Sequence, residues 1–555
     1  MKQPSKEMWV SAQDLRNDPE LLAAANREFP ESSIVEDLGK EGTMDRLESS
    51  RRDFLKFLGF SLGAATVAAS CEIPVKKAIP YVIKPDSIVP GVANYYASAY
   101  VDGGDFLSVL VKTREGRPIK IEGNALSPMT KGGTSARAQA SVLSLYDTSR
   151  LQSPGSVTDG QVTPMSWEDL DKAVMAGLAT GGSIRMVSRT ILSPTAKAAI
   201  AAFREKYPNA SLVQYDPVSC AALLDAQEMS YGVRAVPSYH FDKADVIVSF
   251  DADFLGTWIS PVEYAKAYST GRKISDVKSA RMSRHYQVES FMSLTGSNAD
   301  HRVMVKPSEQ GAAIATLYNA IASAKGASTV TAPALNDKAK KALANVAKDL
   351  LNAQGKSLVV TGVNNLAEQV LVAKMNALLG NDGATVTFND HSYQRQGDDK
   401  ALAGLIQEMN AGSVGTLMVL DGNPAFDNAQ GKAFMEAMAK VPTRIAFGGT
   451  LDETGAACTH VAPTTHLLES WGDAQPKADQ VYLIQPTIAP LFPVRQWEES
   501  LLRWAQSPEL DTTSDQPYYE FLKKNWERTF SSGASSFTSF WESTLHDGLL
   551  TLPGS

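Results

Sequence analysis

The chain has 555 residues, of which 43% are hydrophobic and 21% charged, a composition typical of a globular protein and not of a disordered or polytopic membrane protein. A net charge of −8, with no Lys/Arg cluster interleaved with aromatic residues, argues against a nucleic-acid partner. The length predicts about two to four structural units.

The first recognisable feature is "SSRRDFLKF", in which Arg51 and Arg52 precede a mildly apolar run over residues 57–69. This run is shorter than the ~20 apolar residues of a membrane helix, so we interpret it as the apolar region of a twin-arginine export signal. A basic amphipathic surface helix is the alternative, disfavoured because Gly and Ser are poor helix formers. We therefore expect export to the periplasmic face of the bacterial inner membrane.

Small residues at positions 67–70 lead directly into Cys71, a pattern that predicts a lipoprotein cleavage site. Lipidation of Cys71 would anchor the mature protein at the membrane surface. An ordinary buried thiol is the alternative. The two other cysteines, Cys220 and Cys458, are compatible with a disulfide in an oxidising periplasm or with two separate buried thiols. Three cysteines are too few for an iron–sulfur cluster of ordinary type, which needs about four.

Changes in pattern divide the chain into six segments. They are an extended leader over residues 1–70, a proline-rich tether over 71–100, a small β-rich segment over 101–165, a first α/β lobe over 166–330, a second α/β lobe over 331–505, and a helical tail over 506–555. A β-hairpin is predicted around Glu115 and Gly116, and Ser166 is predicted as a helix N-cap, with Asp169 three residues on.

Short apolar strands alternate with helical patterns after residue 166. The predicted strands are 184–187, 246–250, 358–361, 385–388, 417–420 and 444–447, and the predicted helices include 194–206, 365–379 and 401–410. This alternation predicts an α/β fold with two doubly wound lobes, whose parallel sheets are covered on both faces.

Ligands of open α/β sheets bind beyond the carboxyl ends of the strands, so the loops there are the candidate sites. The candidate cofactor-binding residues are Asp251, Asp253, Gly362, Asn364, Gly422 and Asn423. Gly362 suits a backbone that approaches a phosphate, and the two aspartates suit ribose hydroxyls. A simple turn at Gly362 and helix caps at the aspartates remain alternatives.

Several phrases together resemble the catalytic subunits of molybdopterin oxidoreductases of the dimethyl-sulfoxide-reductase class. They are "GRPIKIEGN", "SLYDTSRLQSP", "KADVIVSFDADFLG", "VVTGVNN", "DGNPAF" and "HLLESWGD". The resemblance implies the fold of that family. It also implies that the candidate loops correspond to those that hold the guanosine and pyrophosphate ends of molybdopterin guanine dinucleotide.

The chain departs from that pattern in ways that matter for function. No N-terminal cysteine cluster is present, and Ser135 in "GGTSARAQA" stands where the family has a cysteine. Ser219 and Cys220 lie near the position where the family has its metal ligand. The pattern around them equally predicts the start of a helix. The family's closing β-barrel domain is expected to be missing after "FWESTLHDG".

With the extended leader and Cys71, these departures make the chain similar to the molybdopterin-like half of the large periplasmic subunit of alternative complex III, a quinol-oxidising complex. The resemblance implies a non-catalytic role, with no catalytic or metal-binding residues and no cofactor bound by this chain. Its implied partners are an iron–sulfur ferredoxin-like subunit or missing C-terminal half, a multihaem c-type cytochrome and polytopic quinol-binding subunits.

Two other functions remain open. A working enzyme that binds molybdopterin guanine dinucleotide and is completed by another chain is the alternative, and a soluble nucleotide-binding module is disfavoured by the export signal. His460 and His466 suggest a metal site, and loop histidines bonded to the backbone are the alternative. The phrase "HSYQRQGDD", with His391 and Arg395, is compatible with an active-site remnant.

Overall fold

The computed structural model describes residues 89, 91–274, 277–533 and 535–552. Arg51, Arg52 and Cys71 lie outside these residues. Of the predicted tether over residues 71–100, the structure describes residues 89 and 91–100. All described elements belong to a unit that runs from Pro85 to Ser555.

The strands of this unit are numbered in chain order. They are β1 Ala93–Asp102, β2 Asp105–Arg114, β3 Arg117–Gly123, β4 Gly155–Thr158, β5 Gln161–Pro164, β6 Ser183–Ser188, β7 Ala210–Gln214, β8 Val236–Tyr239, β9 Val246–Phe250, β10 Arg284–Glu289, β11 His301–Met304, β12 Ser357–Thr361, β13 Val386–Ser392, β14 Val414–Val419, β15 Thr443–Gly448, β16 His460–Pro463, β17 Gly472–Lys477, β18 Gln480–Ile484 and β19 Leu549–Thr551.

The α-helices are numbered in the same way. They are α1 Ala136–Ser144, α2 Trp167–Ala179, α3 Pro194–Lys206, α4 Ala221–Tyr231, α5 Pro261–Arg272, α6 Leu294–Ser297, α7 Gln310–Ala324, α8 Asp337–Asn352, α9 Leu366–Leu378, α10 Asp399–Asn410, α11 Gly431–Met438, α12 Glu453–Ala456, α13 Trp497–Trp504, α14 Pro517–Phe530 and α15 Phe537–Asp547. None of the helices in the described part of the chain is both long and apolar enough to span a bilayer.

Strands β1, β2 and β3 form an antiparallel sheet at the start of the unit. The turn between β2 and β3 is the predicted one, and Glu115 and Gly116 both have positive φ, at 52° and 75°. Two such residues match the twist of the flanking strands, which explains the tight hairpin. The predicted N-cap is also confirmed, since Ser166 Oγ accepts a hydrogen bond from Asp169 N at 3.1 Å.

A seven-stranded sheet, in the order β5-β4-β16-β15-β14-β6-β7, forms the larger α/β lobe. Strands β16, β15, β14, β6 and β7 are parallel, and the β4–β5 hairpin adds an antiparallel edge. Alternate side chains of β6 enter opposite cores, with Met186 in one and Val187 in the other. Burial on both faces is the doubly wound arrangement that the sequence predicts.

A four-stranded parallel sheet, in the order β11-β10-β9-β12, forms the smaller lobe. Val248 and Phe250 of β9 pack on one face against α7, α8 and α9, while Ile247 packs on the other face. Both lobes of the predicted fold class are therefore present.

The strand predicted at 385–388 belongs to neither lobe. It is part of β13, which pairs antiparallel with β8 and β17 in a five-stranded sheet with the order β19-β18-β17-β13-β8. Most side chains of β13 are partly exposed, unlike those of the buried parallel strands. A strand with a partly exposed face suits an antiparallel sheet better than a doubly wound one.

The two parallel sheets draw strands from both sides of the predicted boundary at residues 330 and 331. Strand β12 pairs with β9, and β14 pairs with β6. The smaller lobe is therefore inserted in the chain between β7 and β14, so that the lobes are not consecutive. Hydrophobic periodicity identifies each strand, whereas strand partners depend on faces that are distant in sequence.

Candidate functional site

The larger sheet has a switch point between β6 and β14. The chain proceeds from β6 outward to β7, but from β14 in the opposite direction to β15 and β16. Connections that diverge in this way leave a crevice at the carboxyl ends of the two strands, where open α/β sheets bind ligands. Arg189 follows β6 at this crevice, and Asp421 follows β14.

Arg189 is held between two carboxylates at this switch point. Its Nε and Nη2 donate to Asp421 Oδ2 and Oδ1, each at 2.9 Å, and its Nη1 donates to Asp102 at the β1–β2 turn. Burial by itself would raise the pKa of Asp102, but the neighbouring Arg189 makes the net shift downward. The guanidinium group thus faces two ionised carboxylates of the protein itself.

A cavity of about 340 Å³ adjoins this ion pair. Its walls include Ser188, Trp471 and Trp497, and Arg189 is the one basic side chain among the described residues that line it. Glu498 also lines the cavity, and burial raises its pKa to about 8.

Gly422 and Asn423 lie at the same edge, as predicted. Gly422 has a φ of 95°, and a Cβ atom there would lie 2.4 Å from the Tyr215 hydroxyl, which explains the glycine. Asn423 Oδ1 accepts from Thr454 N at 3.2 Å, and its Nδ2 donates to Glu453 Oε2 at 2.6 Å. The Asn423 amide therefore joins two loops of the same edge.

The smaller sheet has its own switch point, between β9 and β12, and the structure brings Asp251 and Gly362 together there. Gly362 N donates to Phe250 O at 2.8 Å, and a Cβ on Gly362 would lie 2.5 Å from Asp251 O. Burial and the nearby Glu289 raise the pKa of Asp251. Here the two strand ends are closed by contact between backbones, and the Gly362 amide already has an acceptor.

The other two predicted residues serve as links between loops. Asp253 Oδ1 accepts from Thr295 N at 2.9 Å, which ties the β9 loop to α6. Asn364 Oδ1 accepts from Ala222 N at 3.0 Å, and its Nδ2 donates to Asp399 Oδ2 at 3.2 Å. The six predicted residues are thus divided between the edges of two different sheets.

The "HSYQRQGDD" segment passes beside these loops. The Arg395 side chain is only 12% exposed and pairs with Asp105, and its backbone has a positive φ of 61°. Cys220 is the N-cap residue directly before α4, as the helical interpretation predicted, and burial raises the pKa of its thiol to about 12. Cys220 and Cys458 are both buried and free, so they form no disulfide with each other.

These groups allow a test of whether a pyrophosphate fits. A bound pyrophosphate needs donors or cations that are not already satisfied. At the larger edge Arg189 is paired with two carboxylates, and at the smaller edge the carboxyl group of Asp251 lies close to Glu289. The charged groups named here therefore disfavour the pyrophosphate of a dinucleotide at these two positions.

A Ser–His contact that sequence reasoning missed lies nearby. Ser144 Oγ lies 2.9 Å from His466 Nε2, and His466 Nδ1 accepts from Leu468 N at 3.2 Å. Because Nδ1 must be unprotonated to accept, Nε2 carries the proton and donates to Ser144. His466 is therefore not placed to act as a base on Ser144. Among the described residues, no group of three or more His, Cys, Asp or Glu side chains is placed to hold a metal ion.

Arg189 and Asp102 are the main site residues that the sequence did not reveal. Arg189 lies two residues after the predicted strand 184–187, so the rule that selected the other loops would have found it. Asp102 carries no such signal, because its contact with Arg189 spans 87 positions.

Comparisons with known proteins agree with this fold. No family model matches the chain. The menaquinone reductase molybdopterin-binding-like subunit of Nitratidesulfovibrio vulgaris is 25% identical over 508 residues, which covers 81% of this chain and 71% of that one. Acetylene hydratase from Pelobacter acetylenicus superimposes with a TM-score of 0.54 at 10% identity, over 82% of this chain and 72% of that one. The chain is molybdopterin-oxidoreductase-like, with the fold of that type.

Proposed function

We propose that this chain is a non-catalytic, molybdopterin-oxidoreductase-like subunit of a membrane-bound respiratory quinol oxidoreductase of the alternative complex III type. Its role is that of a scaffold on which iron–sulfur and haem subunits assemble and exchange electrons. The menaquinone reductase subunit named above supports a place in quinone-linked respiration. Iron–sulfur, multihaem cytochrome and polytopic quinol-binding subunits are the partners that this proposal requires.

The observation that carries the non-catalytic role is the pairing of Arg189 with Asp421 and Asp102. An arginine at a switch point is the natural partner of a ligand phosphate. Here two carboxylates of the protein take that place, and each adds repulsion toward an anionic ligand. Ionised groups that satisfy one another leave no free charge to attract a ligand, and removing one partner of such a group costs stability.

The decisive experiment measures molybdenum, iron and pterin in the intact complex, isolated from membranes through a tag on this chain. We expect iron and haem without molybdenum, and no pterin fluorescence after oxidation. Stoichiometric molybdenum and pterin would contradict the non-catalytic role. Iron without any haem or quinol-binding subunit would contradict the proposed complex while leaving the non-catalytic role intact.

Localisation at the periplasmic face of the inner membrane is part of the proposal. The paired Arg51 and Arg52 and the small residues before Cys71 support it. A Cys71→Ala variant should lose its acyl groups, detectable by mass spectrometry of the mature N-terminus, and should wash more easily from membranes stripped of partner subunits. Cys458→Ala is the control and should keep the lipid, because Cys458 is a buried thiol.

The alternative is a catalytic subunit that binds molybdopterin guanine dinucleotide and is completed by another chain. The cavity of about 340 Å³ beside Trp471 and Trp497 favours it, because aromatic walls suit a flat ring system. In that case Asn423→Ala should lower the molybdenum content of the complex. Unchanged assembly with no molybdenum in either protein would decide against the alternative.

A further inference from the structure

The first sheet carries a cluster of basic side chains on one face, at the end of the sheet where β1 begins. The register of β2 and β3 pairs Lys112 with Lys120, and it pairs Arg114 with Arg117 in the next row. Directly paired residues, and residues two apart in one strand, share a face of an antiparallel sheet. We call these four residues, Lys112, Arg114, Arg117 and Lys120, the basic face.

The basic face points to solvent, because the other face of the sheet is taken up by the core. Val109, Val111 and Ile121 are buried there. Of the four basic residues, Lys112 is partly exposed and the other three are exposed.

Positive charge is in excess on the basic face. Between residues 112 and 122 the carboxylates are those of Glu115 and Glu122, so the four cations exceed the anions by two. Glu122 lies 3.2 Å from Lys120, but both side chains are at least one-third exposed, and such a surface pair is weak. A positive patch on a chain with a net charge of −8 indicates an anionic partner at this place.

Aromatic and apolar side chains border the basic face. Tyr95 pairs with Lys112 across the sheet and is 51% exposed, and Lys112 Nζ lies 5.6 Å from the centre of the Tyr95 ring. Val89 and Val92, just before β1, are 51% and 55% exposed. Basic residues beside an exposed tyrosine and exposed aliphatic side chains are typical of a surface that meets the headgroup region of a bilayer.

The incoming chain is attached to the basic face. Arg114 Nη2 donates to Gly91 O at 2.8 Å. Gly91 follows Cys71, the acylation site of the proposed function, by 20 residues in the sequence. A chain of that length spans at most about 70 Å. An acyl anchor at Cys71 therefore raises the effective concentration of lipid headgroups around the basic face.

We propose that the basic face binds the anionic phospholipid headgroups of the membrane that carries the chain. The lysine and arginine side chains donate to headgroup phosphates, and Tyr95 and Val92 reach the interfacial region. This inference rests on the proposed localisation, and it adds which face of the protein is turned toward the bilayer. A lipid surface is favoured over an acidic protein because the exposed aliphatic residues and the chain from Cys71 meet at the same place.

Lysine labelling on vesicles tests the contact residue by residue. The purified full-length chain with Cys71→Ala is mixed with phosphatidylglycerol or phosphatidylcholine vesicles and acetylated, and its peptides are quantified by mass spectrometry. Lys112 and Lys120 should react about fivefold more slowly with the anionic vesicles. Lys338 and Lys341, exposed on α8, are internal controls and should react equally with both. Equal labelling of Lys112 and Lys120 on the two kinds of vesicle would overturn the proposal.

A charge-neutral variant measures how much the basic face contributes to binding. It carries Lys112→Gln, Arg114→Gln, Arg117→Gln and Lys120→Gln in the Cys71→Ala chain. Its affinity for phosphatidylglycerol vesicles in sedimentation should fall about tenfold at low salt, and the remaining binding should depend less on salt.

The matched control removes the same charge from the exposed lysines of α8, through Lys338→Gln, Lys340→Gln, Lys341→Gln and Lys348→Gln. It should bind like its parent. The leader is common to all three chains, so a difference between them reports the substituted residues. Equal losses in the two variants would show that only the net charge of the protein matters, and would overturn the proposal.

Two further outcomes separate this inference from the proposed function. The Cys71→Ala chain cannot be acylated at that position, so the vesicle measurements do not depend on the anchor. An unmodified Cys71 in the wild-type protein would contradict the anchor alone. Unchanged vesicle binding with failed assembly of the complex in the charge-neutral variant would show that an acidic protein surface occupies the basic face, and would overturn the proposal.

Discussion

Arg189 and Asp421 form a two-pronged ion pair across the switch point of the larger sheet, with Nε and Nη2 of the arginine each 2.9 Å from a carboxylate oxygen. Asp102, at the β1–β2 turn, contacts the same guanidinium group. The three residues lie at the end of β1 or within two residues after β6 and β14, so the contact fixes the first sheet against the larger lobe. Arg189 therefore joins two sheets through its side chain.

Arg189→Leu should destabilise the unit, because it leaves two carboxylates close together without their cation. Asp102 and Asp421 remain 32% and 39% exposed, so water limits the loss to about 1–3 kcal/mol. Urea unfolding followed by circular dichroism measures it. Arg528→Leu is the control: Arg528 pairs with Glu509 but is 58% exposed, so the loss should stay below about 1 kcal/mol. Equal losses in the two variants would mean that the Arg189 pair contributes no more than a surface contact.

Glu498 predicts a pH dependence. Its pKa rises from 4.5 to about 8 in the folded protein, so between these values the folded state holds the proton more tightly than the unfolded state. The contribution of Glu498 to stability is thus fully present below pH 4.5 and is lost as the pH rises toward 8. The glutamine of the Glu498→Gln variant cannot ionise, so this variant does not lose that contribution as the pH rises. Its free energy of unfolding relative to that of the wild type should therefore increase across that window. Thermal unfolding of both proteins at pH 5, 6.5 and 8.5 tests this, and a difference that stays constant with pH would contradict it.

Gly362→Ala and Gly404→Ala should change stability in opposite directions. A Cβ atom at Gly362 would lie 2.5 Å from Asp251 O and force apart the carboxyl ends of β9 and β12, at a cost of about 1–3 kcal/mol. Gly404 lies in α10 with no atom within 4 Å of an added Cβ, so alanine there should stabilise the helix by about 0.5–1 kcal/mol. Denaturant midpoints of the two variants compare them directly. An unchanged midpoint for Gly362→Ala would show that the contact with Asp251 does not restrict this position, and a loss for Gly404→Ala would contradict the prediction for α10.

The sequence was sufficient for the strongly patterned elements of the fold and insufficient for the partners of the strands. Strands such as β9, and the helix over residues 194–206, were predicted with their observed bounds, because buried parallel strands and capped helices carry strong local patterns. The insertion of the smaller lobe between β7 and β14 was not predicted, since a strand's neighbours are chosen by packing across the whole chain.

The site follows the same division. The rule that ligands bind at strand carboxyl ends selected Asp251, Gly362, Gly422 and Asn423 as residues after strands. The predicted lobes separated Asp251 from the other three, whereas the structure places Asp251 and Gly362 at one edge and Gly422 and Asn423 at the other. It did not indicate that Arg189 would be paired, because Asp102 lies in a different sheet. Side-chain contacts between remote segments leave no periodic trace in the sequence.

Cys220 and Cys458 should be unreactive in the folded protein. Burial raises the pKa of each thiol to about 12, so very little thiolate is present at neutral pH, and neither thiol forms a disulfide. Iodoacetamide should therefore alkylate both only after unfolding, which peptide mass spectrometry can measure residue by residue. Cys220→Ala and Cys458→Ala serve as assignment controls. Rapid alkylation of Cys220 in the native protein would mean that the start of α4 opens more readily than its packing implies.

Releasing Arg189 from its carboxylates should create an anion site. In an Asp102→Asn, Asp421→Asn double variant the guanidinium group lines the cavity of about 340 Å³ without its two ionised partners. Its attraction for pyrophosphate is then no longer opposed by nearby negative charge, and affinity should rise about tenfold over the wild type at low ionic strength. Trp471 and Trp497 line the same cavity, so quenching of tryptophan fluorescence reports binding. Asp105→Asn is the matched control, since Asp105 pairs with Arg137 and Arg395 and not with Arg189. If the wild-type protein binds pyrophosphate as tightly as the double variant, the ion pair is no barrier to a phosphate ligand. The main support for a non-catalytic role is then lost.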